Sequence, residues 1–255
     1  AAANTAEALA QLPAAGREAL RQFTALMQSY QSRAQSEPAG SLIQELLADI
    51  RYETYLLEHE EGKSGEIKWR NVQDLCAWLA RKGEQDGKTL IELSQTIALM
   101  NLLDSQGLRL GIDYDIQQTL TDDKGNVLMN EDSGRKMIPD VILHYPNNED
   151  VIIDSKMTID AYANYMNAEE EVVKKKYADD VVRSIRSQFN SLAKKDYSSY
   201  IKAPRRAIDF VIMYVPYEGA LQLALLTDPK LRHDAFEKHV FITSQQNLMA
   251  ILKII

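Results

Sequence analysis

Residues 139–156, PDVILHYPNNEDVIIDSK, contain two apolar runs of strand length, VILHY and VIID, separated by a Pro146-Asn147-Asn148 turn signal. An aspartate marks an end of each run: Asp140 opens the first and Asp154 closes the second. Side chains alternate along a strand, so Asp154 and Lys156 share one face while Ser155 takes the other. Carboxylates on two adjacent strands form an oxygen-ligand set suited to a hard divalent cation, Mg²⁺ or Mn²⁺. The neighbouring ammonium of Lys156 is then placed to orient water or to face the charge developing on an attacked phosphodiester. The same Asp-x-Lys spacing also suits a solvated edge or an ion pair, and both readings stand at this point.

Outward from this stretch, the chain after Gly107 mixes periods of two and 3.6. Tyr114, Ile116 and the residues to Leu120 read as a strand, 122–126 as a turn and 127–129 as a return strand. Downstream, Thr158-Ile159-Asp160 opens a helix through Tyr162, Tyr165 and Met166. Residues 178–195 read as a long helix with Val181, Ile185, Phe189 and Leu192 inward. A buried strand at 208–215, helices at 218–226 and 231–239, and a short strand at 240–243 follow, with Ser244 placed to cap a terminal helix. The expectation is a mixed sheet flanked by helices.

Residues 1–106 read as helical throughout, giving an α + α/β chain. An alanine-rich segment starts at 6–10, Pro13 suits a first helical turn, and Ala19, Phe23, Leu26 and Met27 recur on one face. Residues 38–41 break the pattern, with Ser41 placed to cap a helix carrying Leu42, Ile43, Leu46, Leu47 and Ile50. Loops are expected at 60–65 and 83–88, on either side of a helix whose face holds Trp69, Val72, Leu75, Cys76 and Leu79. A further helix spans roughly 90–103.

Three blocks connect these patterns to known families. The acid-bearing stretch resembles the PD-(D/E)xK nuclease motif, which implies Asp140 and Asp154 as metal ligands and Asp140, Asp154 and Lys156 as the catalytic set. Residues 107–255 resemble the conserved domain of the RmuC family of bacterial DNA recombination proteins, through IPDVILHYPNNEDVIIDSK, SIRSQFNSLAKKDY, IDFVIMYVPYEGAL and HVFITSQQNLMAIL. That resemblance implies a restriction-endonuclease-like sheet and a Mg²⁺- or Mn²⁺-dependent deoxyribonuclease acting in recombination or repair. Residues 1–106 resemble part of subdomain 2B of Rep/UvrD-type helicases, through LIQELLADIRYETYLLEHEE and KWRNVQDLCAWLARKGEQDGKTLIELSQTIALM. This second likeness implies contact with DNA or with recombination or helicase proteins. No GxxxxGK[ST] loop occurs in the sequence, which excludes an ATP-driven motor within it. The two resemblances meet at Ser105-Gln106-Gly107-Leu108, and a join of unrelated pieces there predicts two parts that melt separately.

The first-motif acid departs from the family pattern. Where RmuC relatives carry a Trp-Gly-Glu block on the preceding helix, this chain has Ser94-Gln95-Thr96, with Glu92 one turn earlier. The departure favours the alternative of a non-catalytic DNA-binding or protein-interaction module. For DNA contact, Lys174 and Lys175 just before the long helix, with Arg183, Arg186 and Gln188 on it, form a phosphate-holding stripe or a solvated face diluted by neighbouring acids. Lys176, Lys194, Lys195, Lys202, Arg205 and Arg206 extend it. Glu218 lines the site or starts a helix.

Composition bounds these readings. At 255 residues and 45% hydrophobic content the chain is globular, and a formal charge of −8 confines nucleic-acid binding to a local basic surface. The single cysteine, Cys76, forms no internal disulfide and lies in an apolar helical run, as a buried thiol would. The four histidines show no metal-ligand spacing. RmuC relatives commonly carry a membrane segment and coiled coil. The sequence contains neither that coiled coil nor an apolar run of the roughly 20 residues a span needs, and a cytoplasmic setting is expected.

Overall fold

The computed structural model describes residues 12–116, 138–155, 160–195, 197, 201 and 203–254. The chain divides into two compact units, Ala1–Ser94 and Gln95–Ile255. The division falls within a helix, whereas the change of period in the sequence falls at Gly107.

The first unit is helical: α1 (Ala14–Arg33), α2 (Ala39–Asp49), α3 (Tyr52–His59), α4 (Ser64–Asp86) and the start of α5 (Leu90–Ser105). Leu26 and Tyr30, one turn apart on α1, pack with Ala34, Leu42 and Leu46. Phe23 and Met27 were expected inward, but they stay 59% and 45% exposed because the Leu26–Tyr30 edge is the one that meets Leu42. Nor does Ser41 cap α2. The chain enters that helix at Ala39 directly after Pro38, and the Ser41 hydroxyl donates instead to the Pro38 carbonyl at 3.1 Å. The expected loop at 83–88 is shorter, since α4 continues to Asp86 and stops at Gly87, whose left-handed backbone (φ 63°) suits glycine. Cys76 is buried, and burial pushes its thiol up.

A reciprocal capping box opens α5. The Glu92 amide donates to Thr89 Oγ1 at 3.3 Å, and the Thr89 amide donates to Glu92 Oε2 at 2.8 Å. Thr89→Ala is expected to lower the stability of the helical unit by about 1 kcal/mol. Urea denaturation followed by far-ultraviolet circular dichroism checks this, and an unchanged midpoint would remove the box from the stability of the unit.

The second unit contains, among the described residues, one sheet of five strands in the order β1 (Tyr114–Ile116), β2 (Val141–Tyr145), β3 (Glu149–Ser155), β4 (Arg206–Tyr214) and β5 (Val240–Thr243). The first three pair antiparallel, while β3, β4 and β5 run parallel. Pro146, Asn147 and Asn148 make the expected turn, with both asparagines at positive φ, which asparagine tolerates better than most residues. The expected elements at 122–126 and 127–129 lie outside the described residues.

Helices α6 (Asp160–Asn167), α7 (Glu171–Ala193), α8 (Glu218–Thr227), α9 (Leu231–Phe236) and α10 (Gln245–Ile254) complete the unit. One sheet face presents Ile142, Ile152, Met213 and Ile242 to Val181, Ile185, Phe189 and Leu192 of α7 and to α8 and α9. The opposite face presents Val141, Leu143, Ile153 and Ile212 to Leu99 and Leu103 of α5 and Leu248 of α10. Helix α7 begins earlier than the expected 178, at an acidic first turn that complements its dipole. Where α8 starts, Gly219 lies against α6: a methyl group there would enter the van der Waals envelope of the Tyr162 hydroxyl. Near the β2–β3 turn, Asp150 is held by Arg205 at 2.5 Å and by His144 at 2.8 Å, and His144 also meets Asp115 at 3.1 Å.

Candidate functional site

Because β2 runs antiparallel to β3 with Val141 opposite Ile153, Asp140 arrives beside the end of β3 that carries Asp154 and Ser155. Asp140 Oδ2 accepts the Ser155 amide at 2.5 Å, and Oδ1 accepts the Thr96 hydroxyl from α5 at 3.4 Å. Both acids are buried, at 5% exposure for Asp140 and 2% for Asp154. Asp154 follows Ile152 by two residues and takes the α7 side of the sheet, whereas Ser155 follows the opposite-facing Ile153. The alternation read from VIIDS therefore describes the strand.

Two residues that sequence reading did not assign to the site complete it. The Tyr197 hydroxyl donates to Asp154 Oδ2 at 3.0 Å, and the Lys195 ammonium donates to that hydroxyl at 3.0 Å while lying 3.7 Å from the same carboxylate oxygen. Burial, then the charges of Asp154 and Asp140, push the Tyr197 phenol well above its ordinary value, so it remains a donor throughout the physiological range. The Ser155 amide that Asp140 accepts follows Asp154 directly in the chain, which brings the two acids to the same end of β2 and β3. Lys195 read as part of a surface stripe, yet its side chain is only 17% exposed. The available signal was the Lys-x-Tyr spacing after the last turn of α7, since period two on non-helical chain sends both side chains to one side.

Lys156 lies outside the described residues. On α7, Lys174 pairs with Glu171 at 3.5 Å, Arg183 pairs with Asp180 at 2.7 Å and Lys175 is exposed. Arg186 is engaged by Asp228 and Asp234 at 2.5 and 2.7 Å and stacks over Phe189, which leaves less of its charge for a phosphate. Gln188 shares the sheet-facing stripe of Ile185 and Leu192, and among the described residues its buried side-chain oxygen meets no donor. Glu218 starts α8, bonded to Gln222 at 2.9 Å, and its carboxyl is held below the usual range by Gln222 and then Ser244.

Among the described residues there is no group of three or more His, Cys, Asp or Glu side chains that could hold a metal. A Mg²⁺ ion is commonly held by one or two carboxylates, with water and substrate phosphate supplying the rest, and Asp140 with Asp154 fits that donor set. Glu92 is committed to its capping box, and Thr96, fully buried, is the α5 side chain at Asp140. Thr96→Glu is expected to raise Mn²⁺ affinity about tenfold by adding an anionic oxygen. Isothermal titration checks it, and no gain would show that this turn of α5 does not face the ligand oxygens.

Residues 96–255 match the RmuC family. The chain is 31% identical over 190 residues to the DNA recombination protein RmuC homolog of Vibrio cholerae, covering 69% of this chain and 35% of that protein. It is 30% identical over 193 residues to the DNA recombination protein RmuC of Escherichia coli K12, covering 73% and 38%. Against the DNA recombination protein RmuC of Salmonella typhimurium it is 30% identical over 220 residues, covering 84% and 42%. The chain thus spans well under half the length of these relatives. Their matched shares exceed what residues 107–255 contain, so the similarity reaches into the helical region. No solved structure matches the chain. No helix among the described residues is long and apolar enough to cross a membrane.

Proposed function

The chain belongs to the RmuC family, and from that premise we propose that its sheet-bearing unit is a Mg²⁺- or Mn²⁺-dependent nuclease that cuts DNA phosphodiesters during recombination. One observation carries the reading: two buried carboxylates, Asp140 and Asp154, lie at neighbouring ends of adjacent strands, with a lysine and a tyrosine at the second. A bound divalent cation would activate water and neutralise charge on phosphorus. Asp140 and Asp154 would hold it, with the Ser155 amide and the Tyr197 hydroxyl donating to the two carboxylates and fixing their orientation. Lys156 and Lys195 are the ammonium groups available to a developing phosphorane. Lys175 and Arg183 on α7 hold the strand by charge.

Incubation with labelled linear DNA in Mg²⁺, in Mn²⁺ and in excess chelator tests this. Cutting that persists with chelator, or is equal when Asp154 is replaced by alanine, sinks the reading. A second reading, a non-catalytic DNA-binding or protein-interaction module, is favoured by Thr96 standing at Asp140 where a carboxylate would complete a metal site. Metal-independent DNA binding without cleavage is its signature. The 2B-like reading of residues 1–106 supports the same accessory role, while the reach of the RmuC similarity into that region favours treating it as part of the RmuC-related chain.

A further inference from the structure

On the α7 side of the sheet, a cavity of about 190 Å³ is bounded by Lys195, Tyr197, Lys238 and His239 above Ile152. Among the described residues its one carboxylate is Asp209, whose side chain is 91% exposed and lies 3.4 Å from His239, so the rest of that lining is two lysines, a tyrosine and apolar groups. Lys195 and Tyr197 belong to both places: they line this cavity and they touch Asp154. Lys238 also lines it, its ammonium donating to Asn190 Oδ1 at 2.5 Å and lying over the Phe189 ring.

Two buried carboxylates need compensating charge, and Lys195 supplies it at 3.7 Å from Asp154. A second cation at the acids would weaken that pairing, and the flexible four-carbon stem gives the ammonium reach toward the cavity that Lys195 also lines. We propose that Lys195 is a phosphate-contacting lysine, its ammonium exchanging Asp154 for a phosphodiester of a DNA strand seated between Lys195 and Lys238. The inference rests on the phosphodiester reading above and adds to it a subsite and a residue with two partners.

The test uses the full chain with Lys195→Gln and Lys195→Arg, and reads a labelled single-stranded oligonucleotide by fluorescence anisotropy over a range of salt concentrations. Lys195→Gln is expected to weaken binding roughly tenfold and to reduce the salt slope by about 0.7, the value of one lost contact to a single strand. Lys195→Arg is expected to retain the slope. Mn²⁺ titration of Lys195→Gln should show tighter binding than wild type, because a competing cation is gone. Thermal melts confirm that the variants are folded, and an unaltered salt slope in folded Lys195→Gln overturns the proposal. So does binding of inorganic phosphate with no binding of the oligonucleotide, which would make the cavity a site for the free anion. Loss of slope in a protein that never cuts DNA sinks the nuclease reading and leaves this subsite standing.

Discussion

Asp154→Asn is expected to reduce metal-dependent DNA cleavage by at least about 100-fold, more than the loss expected of a group outside the ligand set. The exchange keeps the side chain's size, and Tyr197 still finds a carbonyl oxygen at the same place. What disappears is the negative charge, and with it the anionic oxygen proposed to hold the metal and the ion pair to Lys195. Because the substitution is close to isosteric, stability should change far less than activity, which separates a chemical role from a structural one. Mn²⁺ titration should show a parallel loss of affinity. A variant that cuts within a factor of ten of wild type would remove Asp154 from the reaction.

The largest expected effect on stability lies near the β2–β3 turn. Arg205→Ala is expected to destabilise the sheet-bearing unit by about 3 kcal/mol, a fall of roughly 10 °C in melting temperature for a unit of this size. Asp150 has a side chain only 4% exposed, and Arg205 neutralises it while also donating to the Tyr145 and Glu149 carbonyls at 3.2 and 2.8 Å. One substitution leaves a buried carboxylate with His144 as its remaining partner among the described residues, and strips donors from two carbonyls flanking the turn. Arg205→Lys should recover little, since an ammonium offers its three donors from one atom and does not span the positions that Nε and Nη2 reach. Adding Asp150→Asn to Arg205→Ala should restore part of the loss by removing the stranded charge. Equal melting temperatures for wild type and Arg205→Ala would show that His144 suffices for Asp150.

These two expectations draw on different kinds of information. The Asp154 argument began in the sequence: two apolar runs of strand length, a turn of proline and two asparagines between them, and an aspartate closing the second run. Local chemistry decides such features, and the β2–β3 hairpin with its opposed acids follows from them. The Arg205 argument had no sequence counterpart. Arg205 read as one more cation in a basic stripe, and nothing in periodicity reveals a partner 55 residues away. The same holds for Lys195 and Tyr197, whose meeting with Asp154 is created by the return of α7 across the sheet. Helix ends were misjudged where a glycine decided them, as at Gly87, or where an acidic first turn extended the helix, as at Glu171. Thr96 was legible as a missing acid only through the family resemblance, because a threonine inside an apolar helix carries no signal of its own.

The contact between Gly219 and Tyr162 has a consequence on an evolutionary scale. A side chain at 219 and a phenol at 162 claim the same space, so neither position drifts independently while the first turn of α8 stays against α6. Lineages that shorten Tyr162 gain freedom to place alanine or serine at 219, and lineages that retain the tyrosine must turn its ring aside to do the same. Across a deep set of related sequences the two columns should therefore change as a couple, leaving a covariation mark of this packing that owes nothing to chemistry at the acids.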